Sequence, residues 1–205
     1  MSLLLLAVGC DKSDNSEQAF YQKYDKPAPD IALVPFIDHS ACKLSWNLSD
    51  ELTSTIQHRL TQKGKLHVAK IGKKERELYN PFGTEMGWIK ENYPDHEFVA
   101  FGEIVEHVEV PSRSNRDTSP ENSSAELRMT VRLRVFDMRG EEPKVVLQEL
   151  IHKNYFVPRQ FNQYNFAQEP WGDASFAVSP LGIAHAELTK DIASRLEDYI
   201  LTAKT

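Results

Sequence analysis

The chain has 205 residues, a formal net charge of −6 and a sequence pI near 5.7. This length is typical of one domain plus a tail. The acidic balance argues against nucleic-acid-binding proteins, which need a basic face. We therefore expect no nucleic-acid partner.

The first ten residues, M-S-L-L-L-L-A-V-G-C, join an apolar run to a small residue and a cysteine. They resemble the lipobox, the end of a bacterial lipoprotein signal peptide, whose cysteine is acylated after cleavage just before it. The resemblance implies that residues 1–9 are a signal-peptide remnant and that Cys10 carries lipid. The alternative is that Leu3–Val8 form a buried strand of a cytoplasmic protein. A transmembrane helix is excluded for this run, because a membrane span needs roughly 20 apolar residues.

Residues 10–30 are polar, contain Pro27 and Pro29, and lack an apolar period. Such a segment buries too little apolar surface to offset the entropy of ordering, so it predicts a flexible tether. A single domain is then expected over 31–205. If Cys10 is lipidated, Cys42 is left as a small buried thiol or, as the alternative, forms an intermolecular disulfide.

The first half of this domain predicts a strand, a helix and a second strand. The run from Ile31 to Ile37 is an apolar strand, and its Pro35 indicates an edge or a bulge because proline cannot donate to the ladder. The helix is capped by Asn47 or Ser49 and ends at Gly64, with Asp50 and Glu51 in the first turn, where the helix dipole favours anions. A strand over 65–69 follows, and short helices are expected at 73–78 and 85–91.

The second half predicts three strands and a closing helix. The strands cover 98–110, 127–135 and 144–157, with a mobile polar loop over 111–124 and a bulge or close approach at Gly102. Ser179 caps the last helix and Pro180 takes its first position. These elements predict an α+β two-layer sandwich: a mixed, mostly antiparallel sheet of about five strands with two main helices on one face.

Four features resemble those of TolB N-terminal-like envelope proteins. They are the lipobox, the strand A-L-V-P-F, the helix end with L-H-V-A and the strand F-V-A-F-G-E-I. That group of envelope proteins includes penicillin-binding-protein activator lipoproteins and the curli secretion lipoprotein. The segment P-F-I-D-H-S-A-C-K-L-S-W-N-L-S resembles uncharacterised chlamydial lipoproteins. The lipobox, element order and closing helix also resemble lipopolysaccharide-assembly lipoproteins. Residues 154–178 depart from these groups in being unusually aromatic.

No catalytic motif is present, so we expect a protein that is not an enzyme and has no cofactor. Asp38, His39 and Ser40 are consecutive residues of a strand and point to opposite faces, so they cannot form a relay among themselves. His39 and Cys42, even with His58, fall short of the four ligands typical of structural zinc. We expect no metal site.

Two groups of residues are candidate binding sites. One face of the strand 127–135 carries three arginines that could hold phosphates or carboxylates, or could instead pair across the sheet with Glu103, Gln148 or Glu149: Arg128, Arg132 and Arg134. Residues 154–178 form a long aromatic connection that favours a partner-binding loop, or one whose rings cap the core. Its aromatic residues are Tyr155, Phe156, Phe161, Tyr164, Phe166, Trp171 and Phe176.

Together these features favour a non-enzymatic, lipid-anchored periplasmic module that binds or regulates an envelope protein. The first alternative is a lipopolysaccharide or lipid assembly protein, with lipopolysaccharide bound by the arginines. The second is a soluble cytoplasmic α+β protein. For the anchored protein the outer membrane is favoured, although Asp11 after the cysteine resembles an inner-membrane retention signal.

Overall fold

The computed structural model describes residues 27–71, 80–111, 124–158 and 170–205. These residues form six strands and four helices. In chain order they are β1 (Asp30–Leu33), β2 (Ile37–Asp38), α1 (Leu48–Lys63), β3 (His67–Lys70), α2 (Gly87–Asn92), β4 (Phe98–Pro111), β5 (Ala125–Asp137), β6 (Lys144–Val157), α3 (Ala174–Val178) and α4 (Pro180–Lys204). Several predictions lie outside the described residues: the signal remnant, Cys10, nearly all of the tether, the helix at 73–78 and most of the loop 111–124.

The strands form one mixed sheet in the order β3-β1-β4-β5-β6. β1 lies parallel to both β3 and β4, and β4, β5 and β6 form an antiparallel meander. β2 continues along β4 beyond the end of β1, again in parallel. The predicted α+β class and mixed sheet are confirmed.

The strand predicted over Ile31–Ile37 is divided into β1 and β2. Leu33 pairs with Ala100 and Ile37 pairs with Glu103. Four residue steps on the β1–β2 side therefore match only three on β4. The extra residue is accommodated around Pro35, as a local bulge requires. This confirms the irregularity expected there, and it raises the strand count from five to six.

Gly102 makes the close approach that its sequence position predicts. The buried Phe36 ring lies directly over it, and a Cβ on residue 102 would stand 2.4 Å from two atoms of that ring. No side chain fits in this space. The bulge at Pro35 and the glycine on β4 together place Phe36 in the core.

Both long helices begin as their sequences predict, and α1 also ends as predicted. Asn47 caps α1 by accepting a hydrogen bond from the Asp50 amide at 3.0 Å, and Gly64 ends it with a φ of 65°. Ser179 caps α4 by accepting from the Gly182 amide at 3.0 Å, and Pro180 is the first helical residue.

Helices α1 and α4 cover one face of the sheet, as predicted for the two main helices. They bury the larger core, which includes Ile56, Leu60 and Ile192 together with apolar residues of β4, β5 and β6. The shorter α2 lies on the opposite face, where Ile89 and Tyr93 form a second, smaller core. None of the described helices is long and apolar enough to cross a membrane.

The aromatic stretch 154–178 is not the single structureless connection that its irregular pattern predicted. Its start belongs to β6, which extends to Val157, and its end contains the short helix α3. The apolar residues of this stretch show no single period, because their spacing follows two residues on the strand and 3.6 on a helix of only five residues. Residues 159–169 between them lie outside the described ranges.

Candidate functional site

A cleft of about 750 Å³ opens where β2 ends and α1 begins. Ligand pockets commonly have about 300–1,000 Å³ and combine apolar walls with a few polar groups. This one has both kinds of lining. The cleft is lined by Phe36, Ile37, Asp38, His39, Cys42, Leu44, Trp46, Asn47, Leu48, Ser49, Asn80, Pro81, Phe82 and Glu103.

Hydrogen bonds between β2 and α1 fix the back of the cleft. The Phe36 amide donates to the Thr53 hydroxyl at 2.9 Å, and the Ser49 hydroxyl donates to the Phe36 carbonyl. The His39 amide donates to the Ile104 carbonyl at 2.9 Å, which continues the pairing of β2 with β4. The backbone on this side is therefore held by both the sheet and the helix.

The polar side of the cleft is centred on Glu103. One of its oxygens lies 2.7 Å from His39 Nδ1, and the other lies 3.2 Å from the Arg132 guanidinium. Arg132 also stacks on the Phe82 ring, 5.2 Å from its centroid. Asp38 accepts from the Ser40 hydroxyl at 2.6 Å, whereas His39 pairs with Glu103, so residues 38–40 form no relay among themselves.

Cys42 lies half-buried in the cleft as a free thiol. Burial, followed by the nearby carboxyl groups of Asp38, Glu109 and Glu51, raises the pKa of this thiol to about 11. The thiolate is the nucleophilic and metal-binding form of cysteine. At neutral pH Cys42 is therefore an unreactive thiol.

A buried polar network lies behind the cleft wall and connects α1, α4 and β4. One Glu51 carboxyl oxygen accepts from the Trp46 indole N–H at 2.7 Å, and the other lies 2.7 Å from His185 Nδ1. His185 Nε2 in turn lies 2.8 Å from Nε2 of His107. Because Glu51, His185 and His107 are all buried, each polar atom depends on these partners rather than on water.

His107 is the neutral end of this network. Burial, and then the charge of His185, lower the pKa of His107 to about 4. The two imidazoles therefore share one Nε2 proton, with one ring donating and the other accepting. Trp46 lines the cleft and contacts Phe176 edge-on at 5.2 Å, so the network couples the cleft wall to α3 as well.

The three candidate arginines share one face of β5, and each of them has a protein partner. Arg134 donates to the Pro81 and Gly83 carbonyls at 3.0 and 2.7 Å, and Arg132 pairs with Glu103 opposite it in register. Arg128 lies 3.5 Å from a Glu126 oxygen. Two of the three thus support the cleft wall, and anion binding remains a prediction.

The structure does not bring the described aromatic candidates together. Tyr155 and Phe156 are neighbours on β6 and point to opposite faces; Tyr155 packs on the large core, whereas Phe156 is 67% exposed. Trp171 is 39% exposed, and Phe176 is buried against Trp46 and His185. Phe161, Tyr164 and Phe166 lie outside the described residues.

Glu51, His107 and His185 were not recognised as a group from the sequence. His185 does give a signal in the sequence, because it stands in the last helix among the apolar residues Leu181, Ala184 and Leu188, which face the core. For Glu51 the sequence indicates only a favourable charge in the first turn of α1. Over the described ranges no three His, Cys, Asp or Glu side chains are grouped so that they could hold a metal ion.

Comparisons with solved structures match the chain to several bacterial proteins. The hypothetical protein CT253 from Chlamydia trachomatis matches with a TM-score of 0.65 and 23% identity, over 84% of this chain and 97% of that chain. The lipoprotein GNA1162 from Neisseria meningitidis matches at 0.40 and 9% identity, over 81% and 99%. XCC0632 from Xanthomonas campestris matches at 0.44 and 7% identity, over 87% and 91%.

The chlamydial protein shares the fold, which agrees with the chlamydial resemblance of residues 35–49. The resemblance to TolB N-terminal-like proteins stays a prediction. No protein with a curated description matches the chain. Residues 17–204, however, match the model of a family described as a family of unknown function, DUF7499. The chain therefore belongs to the DUF7499 family.

Proposed function

We propose that the protein is a non-enzymatic binding module of the bacterial cell envelope, anchored by lipid on Cys10. The observation that carries the proposal is the lipobox-like start followed at once by a polar segment of about twenty residues. The cores of the described domain are assembled from residues between Ile31 and Ile200. A folded domain at the end of a tether is the arrangement expected of an anchored module.

Replacing Cys10 by serine should move the protein from the membrane fraction to the soluble fraction and abolish incorporation of labelled palmitate. Each buried methylene of an acyl chain contributes about 0.8 kcal/mol, so two or more chains give stable anchoring. The matched control is Cys42→Ser, which removes the other thiol and should leave the protein in the membrane. Retention of Cys10→Ser in the membrane would refute the anchor.

The cleft at the start of α1 is the binding surface that we favour in this module. It joins the apolar walls of Leu44, Trp46 and Phe82 to the acidic group of Glu103. The high pKa of the Cys42 thiol supports a role in binding rather than in nucleophilic chemistry. The envelope partner proposed from the sequence would then dock at this end of the domain.

Photo-crosslinking in cells tests this surface. His39 lines the cleft, and 62% of its side chain is exposed. His58 is also exposed but lies ten residues along α1 from the cleft residue Leu48, which is about 15 Å at 1.5 Å per residue. A photoreactive amino acid at position 39 should give one strong covalent product with an envelope protein, and the same group at position 58 should not. Equal products from both positions, or none from position 39, would contradict binding in the cleft.

A further inference from the structure

Strand β6 forms an edge of the sheet. Among the described strands it pairs only with β5, so the outer side of its 14 residues faces no other strand of this part of the chain. Residues 147–155 keep an unbroken register with β5, since the irregularity lies before Leu147. An unpaired strand of this length offers a row of backbone donors and acceptors to another chain.

The composition of this stretch does little to block such pairing. Soluble proteins protect edge strands with proline, with short strands, with bulges or with charged side chains. The sequence L-Q-E-L-I-H-K-N-Y contains no proline, and Leu150 is 48% exposed. Its two full charges, Glu149 and Lys153, are opposite in sign and stand two residues to either side of Ile151.

We propose that the outer edge of β6 pairs antiparallel with β6 of a second copy of this chain, about a two-fold axis at Ile151. This inference goes beyond the proposed function and does not depend on it. The axis runs perpendicular to the sheet, because only that orientation makes two copies of one strand antiparallel within a common sheet. The two helix layers therefore stay on the same side of the joined sheet.

Charge complementarity selects this register. With the axis at Ile151, Glu149 of each copy lies opposite Lys153 of the other, and this pair occurs twice. The same register places Leu147 opposite Tyr155, Gln148 opposite Asn154, and Leu150 opposite His152. Every cross-strand pair thus joins compatible side chains, and opposite charges facing each other stabilise a sheet.

A two-fold axis at any other residue near the middle of β6 does not bring Glu149 opposite Lys153. An axis at Glu149 or at Lys153 places like charges directly opposite each other, which is destabilising. An axis at Leu150 places Lys153 opposite Leu147 and Glu149 opposite Ile151. An axis at His152 places Glu149 opposite Tyr155 and Lys153 opposite Ile151, so at neither centre does a charge meet its complement. Intermediate centres are excluded because side chains facing each other across an antiparallel pair must point to the same face.

Helix α4 holds the two charges of β6 in place before any second copy arrives. Glu149 pairs with Arg195, and Lys153 lies 2.9 Å from Asp191. Arg195 and Asp191 are themselves 3.1 Å apart, so the four side chains form one cluster of alternating sign. Side chains that are already ordered lose less entropy when they meet a partner.

Engineered cysteines test the register directly. The full-length chain carrying Cys10→Ser, Cys42→Ser, Gln148→Cys and Asn154→Cys should form a disulfide-linked dimer on mild oxidation. Opposite Cα atoms lie about 4.5–5.5 Å apart in an antiparallel pair, within the range that a disulfide spans. Within one chain the two positions are about 20 Å apart, which prevents an internal bond. The chains with only one of the two cysteines should remain monomeric on denaturing gels.

Charge reversal tests the pairing of Glu149 with Lys153 of the second copy. The dimer is measured by sedimentation velocity on the full-length chain carrying only Cys10→Ser beside the charge variants. Glu149→Lys should raise the dimer dissociation constant at least about tenfold, because two attractive pairs become repulsive. Adding Lys153→Glu to it should restore the dimer, although both new side chains then face a like charge on α4, at Arg195 and Asp191. Circular dichroism checks that each variant is folded, and the cysteine test leaves all charges unchanged. A monomer at every concentration, or equal crosslinking by single and double cysteine variants, overturns the proposal.

Discussion

Replacing Glu51 by alanine is expected to lower the free energy of unfolding by about 2–6 kcal/mol, because two hydrogen-bond donors lose their acceptor at about 1–3 kcal/mol each. The carboxyl group is buried and is the partner of both Trp46 Nε1 and His185 Nδ1. Alanine leaves the half-buried Trp46 indole and the buried His185 ring without this acceptor. Chemical denaturation followed by circular dichroism measures the loss.

Two further variants separate the network from a general effect of removing an acid. Glu51→Gln keeps the size of the side chain and one accepting oxygen, so its loss should be intermediate, about 1–3 kcal/mol. Asp198→Ala removes an exposed acid from α4 and should change stability by no more than about 0.5 kcal/mol. A loss for Glu51→Ala no greater than that for Asp198→Ala would contradict the structural role assigned to this network.

The stability of the protein is expected to fall as the pH is lowered from 8 to 5, with about 2 kcal/mol of the fall due to His107. The unfolded chain binds a proton at this residue near the ordinary pKa of 6.5, whereas burial lowers the pKa in the folded state to about 4. Between these values the unfolded state holds more protons. Stability contributed by neutral His107 is therefore present above pH 6.5 and is lost as the pH falls through the window down to 4.

The measurement compares unfolding free energies of the wild type and His107→Gln across this window. Glutamine can still hydrogen-bond to His185 but cannot take up a proton, so the variant should show a shallower dependence on pH. His58→Gln removes an exposed histidine of α1 and should leave the wild-type slope unchanged. Identical slopes for wild type and His107→Gln would show that His107 is not held neutral by the fold.

Much of the architecture follows from patterns that are local in the sequence. The apolar stripe from Leu48 to Leu60, with Asn47 before it and Gly64 after it, determines α1 without reference to the rest of the chain. The alternation along β5 and the Ser179-Pro180 start of α4 are equally local. Elements of this kind are predictable because caps and hydrophobic periods act over only one or two turns.

The network behind the cleft depends on residues that are distant in sequence. Glu51 and His185 are separated by 134 positions, and His107 and His185 by 78. His107 reaches the helix-covered face only because a bulge between Ile104 and Glu106 shifts the alternation of β4 by one residue. Neither the bulge nor the three-residue association gives a periodic signal in the chain.

The sequence by itself thus determined the α+β class, the two covering helices with their caps, the interruption at Pro35 and the close approach at Gly102. It also supplied the lipobox-like start on which the proposed anchor depends. Only the tertiary structure decided that Arg132 and Arg134 support a cleft, that Phe176 is buried against Trp46, and that Glu51 meets two buried histidines. The physical reason is range: caps and periods record contacts between near neighbours, whereas a site is made where the sheet and helices bring distant side chains within hydrogen-bonding distance.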